Sequence, residues 1–222
     1  MKKNVVLFGA GAHAHVIIDI LEKQGQYQIA GIIDSKREIG ELFDDYKIIG
    51  RQEKLKSIVQ DYCIEGGIVC VGDNYWRGYL VNYIKSIIPD FNFVNAIHPN
   101  SIIGKGLCIG VGNAIMAGVI IDPYVTIKNH CIININSSLG HFSIMEDFSS
   151  LSGAVMSGGY VHYKEYSAVS LGVILFDRLS VGKHSVIGAG SLVTKDIEDG
   201  ILAYGNPAKK IRNRKPGDKY LK

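Results

Sequence analysis

The 222-residue sequence predicts a small open α/β sheet followed by a three-sided coil of hexapeptide turns. Two observations predict it: strand and helix signals alternate over the first ninety residues, and one aliphatic frame of period six runs unbroken from Ile97 to Val193. The charge distribution divides the chain further. Residues 1–96 carry 23 charged side chains, residues 97–198 carry 13, and residues 199–222 carry 9. A small α/β domain over 1–96, a charge-poor coil over 97–198 and a basic C-terminal cap and tail over 199–222 are therefore expected.

In the first range, Asn4–Phe8 is an apolar β-branched run ending at Gly9 and reads as a buried strand. Ala14–Gln24 places apolar residues at 16, 17, 20 and 21 and stops at Gly25, as a helix does. Tyr27–Ile33 is a second strand, Gln52–Gln60 a second helix, and Gly67–Val71 a third strand. Tyr75–Ser86 is helical up to Pro89. Strands alternating with helices make a parallel sheet.

Gly9-Ala10-Gly11-Ala12-His13-Ala14 joins the first strand to the first helix in a G-x-G-x-x-A pattern. Glycines there let the backbone approach a phosphate, and the helix N-terminus offers oriented N–H groups. A plain tight turn would also use those glycines. Asp34 ends the second strand, where such a Rossmann-like fold meets a ribose or base, and Gly72-Asp73-Asn74 follows the third strand on the same carboxyl edge. About 90 residues is short for a dehydrogenase domain, which disfavours hydride transfer.

The second range is a repeat. Fifteen of the seventeen positions reached by steps of six from Ile97 are aliphatic or Met; the exceptions are Ser157 and Tyr163. The next position is glycine at 104, 110, 140, 158, 182 and 188. Four residues past the aliphatic one, small or β-branched residues dominate, such as Val119, Cys131, Ser143 and Val155. Three hexapeptides make one triangular turn, and stacked turns bury the aliphatic residues in a continuous column. Cys131 reads as core. The open ends need capping, by the first domain and by residues 199–222.

Composition excludes other classes. A hydrophobic fraction of 47% with balanced charge is not that of a disordered chain. A net charge of +3 is too small to imply nucleic acid, and Cys63, Cys70, Cys108 and Cys131 show no CxxC spacing. No apolar run approaches the roughly 20 residues of a membrane span, and the N-terminus lacks a signal-peptide pattern. A cytoplasmic protein is expected.

Taken together, Gly9–His13 with Asp34 and Gly72–Asn74, the hexapeptide frame, and the ending Gly205-Asn206-Pro207-Ala208-Lys209-Lys210-Ile211 resemble the bacterial hexapeptide-repeat sugar acyltransferases. The similarity is greatest to the nucleotide-sugar N-acetyltransferases and sialic acid O-acetyltransferases. This resemblance implies a Rossmann-like α/β N-terminal domain followed by a left-handed parallel β-helix. It also implies a homotrimer, with acetyl-CoA lying between neighbouring β-helices. Asn134 followed seven residues later by His141 matches the family's pattern, in which the histidine is the general base and the asparagine lies at the substrate. A histidine titrating near neutrality suits removal of a proton as an amine attacks a thioester. The resemblance makes Gly159 the oxyanion-binding N–H and gives His13 a contact with the nucleotide-linked sugar.

Two positions depart from the family. Phe142 stands where Asp or Glu usually follows the histidine, and Ser150 stands where close relatives often have histidine. Glu146 or Asp147 is the candidate substitute for the acid. His15 reads as solvated, and His98, His130, His162 and His184 as exposed corners. No metal is expected. Gly158-Gly159, Leu171-Gly172 and Gly188-Ala189-Gly190 are candidate backbone contacts for a pantetheine arm, and Pro207 and Lys209 match the family's CoA-contacting cap. The expectation is acetyl-CoA-dependent N-acetylation of a nucleotide-linked amino sugar for surface glycans. O-acetylation of sialic acid or a related sugar, and a non-catalytic nucleotide-sugar-binding trimer, are the alternatives.

Overall fold

The computed structural model describes residues 2–220, and the chain divides into two compact units, Met1–Pro99 and Asn100–Lys222. The first unit is a five-stranded sheet with helices between its strands. In chain order these are β1 (Lys3–Phe8), α1 (Ala12–Gln24), β2 (Tyr27–Ile33), β3 (Leu42–Phe43), β4 (Tyr46–Gly50), α2 (Leu55–Asp61), β5 (Gly66–Val69) and α3 (Asn74–Ile87). The sheet order is β3-β4-β2-β1-β5, parallel except for the short hairpin of β3 and β4. Val5 to Phe8 and Ile32, Ile33 and Ile68 are almost wholly buried, as strands covered on both faces require. α1 buries Ala14, Ile17, Ile18, Ile20 and Leu21, and ends at Gly25, whose φ of +69° favours glycine. The hairpin was not foreseen from the sequence, because β4 offers only Ile48 and Ile49 between polar neighbours. The chain leaves β1 toward β2 on one side while β5 lies on the other, so the loops after these strands meet at a topological switch point.

The second unit is a three-sided parallel β-helix. Each side stacks two-residue strands whose partners lie eighteen residues apart, as in Ile120 with Ile102 and Ser138, or Ile132 with Ala114 and Ser150. Eighteen residues are three hexapeptides, which makes the aliphatic frame the inner column: Ile115, Ile121, Ile127, Ile133, Leu139 and Met145 are all buried. The residues four further on form a second buried column, and its serines join coils. Ser143 Oγ accepts from Val161 N at 3.1 Å, and Ser137 Oγ accepts from Val155 N at 3.2 Å while donating to Ser152 O at 2.7 Å. Cys131 is fully buried, its thiol 3.1 Å from Glu146 O.

The corners carry a third periodicity. Every sixth residue from 106 to 190 has φ between +56 and +72°, and ten of these fifteen are not glycine. Three corner edges result, each repeating every eighteen residues. One edge carries Gly106, Tyr124, Phe142, Tyr160 and Arg178; the second carries Gly112, His130, Phe148, Tyr166 and His184; the third carries Gly118, Asn136, Ala154, Gly172 and Gly190. Two edges are aromatic and one is small. The rings stack: Tyr124 on Phe142 at 5.2 Å and 13°, Phe142 on Tyr160 at 5.0 Å and 20°, Phe148 on Tyr166 at 4.8 Å, and Tyr166 on His184 at 4.7 Å. Each stacked pair contributes about 0.5–1.5 kcal/mol beyond its buried area. The last strands, Ile201–Gly205 and Ala208–Asn213, form an antiparallel hairpin whose first strand extends the sheet beside Val186 and Ile187.

Candidate active site

In the first unit, the loops after β1, β2 and β5 enclose a cleft of about 420 Å³, lined by Gly9, Gly11, His13, Asp34 and Gly72 among others. Five residues expected at a nucleotide therefore meet in one place. Gly9 has φ +102°, and the first turn of α1 has no side-chain cap and no acidic residue, so the positive end of the helix dipole faces the cleft without a side-chain counter-charge. Lys36 and Arg37 also line this cleft and supply positive charge. An adjoining cleft of about 500 Å³ shares Ser35, Lys36 and Val71 and adds Trp76, Tyr79 and Tyr83. The sequence reading missed these residues because they precede or follow the glycine motif rather than belonging to it.

Asp34 braces the loops. Its Oδ2 accepts from Ala10 N at 2.8 Å, and its Oδ1 accepts from Lys36 N at 2.8 Å and Arg37 N at 3.1 Å. Burial pushes its carboxyl up, but these backbone donors and the Arg37 charge outweigh that and hold it below the usual range. Asp73 does not line the cleft. It caps α3, accepting from Tyr75 N at 3.0 Å and Trp76 N at 3.1 Å, which corrects the expectation of a substrate contact. His13 is partly exposed as a residue, yet its Nε2 is shut off from solvent with no hydrogen-bond partner. Desolvation, then the charge of buried Arg77, push its imidazole down to about 4. His15 is paired with Asp44 at 2.7 Å and stacked on Phe43.

In the second unit, His141 precedes the corner residue Phe142 and is exposed. Its ring lies over Gly159 of the next coil, so closely that a Cβ at 159 would come within 2.6 Å of the imidazole Cε1. Its ring nitrogens make no hydrogen bond among the described residues. Tyr160 N donates to His141 O at 2.8 Å, tying the two coils together. His141 also meets Phe142 edge-on at 5.7 Å and Tyr160 edge-on at 5.3 Å.

Neither candidate acid serves His141. Glu146 pairs with His162 at 2.9 Å and Lys128 at 3.8 Å, and Asp147 accepts from Asn129 N at 2.8 Å and Asn129 Nδ2 at 3.0 Å. Burial pushes the Glu146 carboxyl up, but the His162 hydrogen bond and the Lys128 charge leave it lowered. The Gly159 N–H donates to Asp177 Oδ1 at 2.6 Å and is therefore engaged, against the expectation that it faces a thioester oxygen. Asn134 turns its Oδ1 to Ile135 N at 2.7 Å. His98 and His130 are buried, and His162 stands on a strand, so the reading of exposed corners fails for these three; His184 does lie on a corner.

Gly172 and Gly190 stack on the small corner edge with open space around them, and Ala189 is beside them, exposed. Gly159 lies on the His141 edge instead. Pro207 sits in the terminal hairpin turn and Lys209 on its second strand, both exposed. Among the described residues, no group of three or more His, Cys, Asp or Glu could hold a metal, and no helix is long and apolar enough to cross a membrane.

Residues 4–84 match the family model of the PglD N-terminal domain. The perosamine N-acetyltransferase of Caulobacter crescentus, solved in complex with CoA and GDP-perosamine, superposes with a TM-score of 0.88. The likeness covers 95% of this chain and 97% of that one at 28% identity. Along nearly its whole length the chain is similar to the hexapeptide-repeat sugar acyltransferases. Its coil is accordingly the left-handed parallel β-helix. The acetyltransferase domain of PglB from Neisseria gonorrhoeae, solved with acetyl coenzyme A, shares the fold at 24% identity, a TM-score of 0.85 and coverage of 95% and 100%. The galactoside O-acetyltransferase of Lactococcus lactis is 51% identical over 47 residues, 21% of this chain and 23% of that one. The chain spans between about a quarter and a half of the length of the curated relatives it matches.

Proposed function

We propose that the protein transfers an acetyl group from acetyl-CoA to the amine of a nucleotide-linked amino sugar. The observation that carries this reading is the end-to-end likeness to an N-acetyltransferase solved with CoA and a GDP-linked amino sugar. The cleft of the first unit takes the nucleotide. Gly9, Gly11 and the α1 N-terminus receive its phosphates, Asp34 holds the surrounding loops, Gly72 closes the floor, and His13 meets the sugar-bearing part as a neutral imidazole.

At His141, the amine nitrogen attacks the thioester carbonyl carbon and the new C–N bond forms as the carbonyl electrons move onto oxygen. The imidazole takes the proton from that nitrogen. When the tetrahedral intermediate collapses, the C–S bond breaks, and the proton passes from the imidazolium to the leaving sulfur. The products are an acetamido sugar and CoA. Once it has added to the carbonyl carbon, the amine nitrogen carries a positive charge and gives up its proton readily. A hydroxyl needs its proton drawn off during attack. The lack of a carboxylate on His141 therefore favours nitrogen as the acceptor atom.

His141 and the pair Gly172 and Gly190 lie on different edges of one prism. A donor that touches both is held between neighbouring copies, one supplying the histidine edge and the next the small-residue edge, as in a trimer. Pro207 and Lys209 take the CoA phosphates, with lysine acting as a point charge. Nucleotide sugars and acetyl-CoA are cytoplasmic supplies, so this reading puts the protein in the cytoplasm.

The likeness to the galactoside O-acetyltransferase supports a second reading, with a sugar hydroxyl as acceptor. CoA thiol release from acetyl-CoA decides between them, measured with a panel of nucleotide-linked amino sugars, their hydroxyl counterparts and free sialic acid. Release with an amino sugar alone is expected. Release only with a hydroxyl acceptor supports the second reading, and silence with nucleotide binding intact supports a non-catalytic binding protein.

A further inference from the structure

The position after His141 is occupied by an aromatic ring that the fold holds on both faces. Phe142 stacks on Tyr124 in the coil before and on Tyr160 in the coil after, and Arg178 lies over Tyr160 at 4.4 Å. Lys105 lies over Tyr124 at 5.6 Å from the other end. The column is thus an aromatic ladder with a cation at each end.

The centroids of His141, Phe142 and Tyr160 are 5.7, 5.3 and 5.0 Å apart. These distances describe a nearly equilateral triangle. His141 therefore rests against the flank of the stack, perpendicular to both rings at 80° and 81°, and is not a rung of it. Below it lies Gly159, where a methyl group would overlap the imidazole. The ring is fenced by a backbone floor and two aromatic edges, and the carboxylates of Glu146 and Asp147 are engaged elsewhere.

We propose that Phe142, Tyr160 and Gly159 are the positioning residues of His141, fixing by packing the ring orientation that a hydrogen-bonded carboxylate would otherwise fix. The inference rests on His141 being the base. Aromatic packing sets direction but offers the imidazolium no counter-charge, so the device suits an acceptor that needs a well-placed base more than a strong one. The left-handed backbone at Phe142, φ 57°, turns the ring out of the coil and into the stack.

The test uses the full-length protein with acetyl-CoA and the amino sugar it acetylates. Phe142→Ala and Tyr160→Ala should each lower kcat by about 10- to 100-fold while the KM values of both substrates change little, since misplacement of a reacting group by an ångström costs up to about 100-fold. Phe142→Tyr, which keeps the stack, should recover most of kcat. Phe142→Asn, tolerant of the left-handed corner, should lower kcat as Phe142→Ala does even if the alanine variant folds poorly. Phe142→Asp should restore part of kcat and move the acidic limb of the kcat profile to higher pH, because a carboxylate then supports the imidazolium. Wild-type kcat in Phe142→Asn and Tyr160→Ala, or an unmoved acidic limb in Phe142→Asp, overturns the proposal. Unchanged turnover in His141→Ala instead removes the reading on which it rests.

Discussion

The phenol of Tyr163 donates to the hydroxyl of Ser157 at 2.7 Å, and these are the two inner residues of the period-six frame that are neither aliphatic nor methionine. Each departure satisfies the other. Tyr163 is fully buried, and desolvation raises its phenol further above the usual range than the Ser157 hydrogen bond lowers it. Ser157 in turn donates to Gly158 O at 3.0 Å, so the large ring and the small hydroxyl fill adjacent sides of the coil as one unit.

Tyr163→Phe should therefore destabilise the protein by about 1 kcal/mol, the usual worth of a buried hydrogen bond. A double-mutant cycle with Ser157→Ala, followed by denaturant unfolding, should return a coupling energy of similar size. Strict additivity of the two single changes would contradict the pairing.

Replacing His141 by Ala should reduce kcat/KM by about 100- to 10,000-fold, the range ordinarily supplied by a general base. Calorimetric titration with the nucleotide sugar should give an unchanged Kd, because the cleft proposed for the nucleotide is lined wholly by residues of the first unit. A large loss of nucleotide affinity would mean that the histidine is a binding residue.

His13 makes stability depend on pH with a definite sign. Its folded value of about 4 lies below the ordinary 6.5, so the unfolded chain takes up a proton first as the pH falls. Stability is unaffected by this group above pH 6.5 and declines between about 6.5 and 4, by about 3 kcal/mol in all. The difference in thermal midpoint between the native protein and His13→Asn should grow in the native protein's disfavour across that window. A constant difference from pH 7 to 4 would contradict the burial of a neutral ring.

Asp34→Ala removes the acceptor of three backbone N–H groups at once, from Ala10, Lys36 and Arg37. A loss of about 1–3 kcal/mol is expected, with nucleotide affinity falling as the β1 and β2 loops part. Hydrogen exchange at the Ala10 amide should speed up measurably, and unchanged exchange would place the brace elsewhere.

Gly172→Asn tests the small-residue edge. Asparagine tolerates the backbone φ of 65°, and a Cβ there meets nothing within 4 Å, so the fold should hold. If the acyl donor lies along this edge, KM for acetyl-CoA should rise several-fold while KM for the sugar nucleotide stays near its native value. Equal KM values in variant and native protein would move the donor off this edge.

The sequence disclosed what is repeated and concealed what is assembled. Period six told the inner column apart from everything else because each aliphatic residue performs the same task at the same depth. Gly9, Gly11, His13, Asp34 and Gly72 were legible because strand ends in a parallel sheet converge on one edge. The partners of a side chain follow no such rule. Asp34 and Asp73 are both carboxylates beside a strand end, yet one braces loops and the other caps a helix. Glu146 looked available to His141 from five residues away, but it follows the strand Ile144–Met145 and meets His162 on the neighbouring coil. The aromatic ladder was present in the sequence as Tyr124, Phe142 and Tyr160 at intervals of eighteen, a spacing visible only when the chain is read coil by coil.

Because fifteen successive corners fall six residues apart, the coil between residues 106 and 190 has no loop in which a change of length could be absorbed. Deleting one residue at position 150 would send every later aliphatic side chain to the place of its neighbour, bring Tyr160 off its corner, and set β-branched residues where the backbone must be left-handed. Insertions and deletions are tolerable here in units of a whole coil, eighteen residues, which lengthen or shorten the prism and leave each edge in step. Within this coil, length can change only in steps, and point substitution is the means that alters the chemistry of an edge without shifting its register.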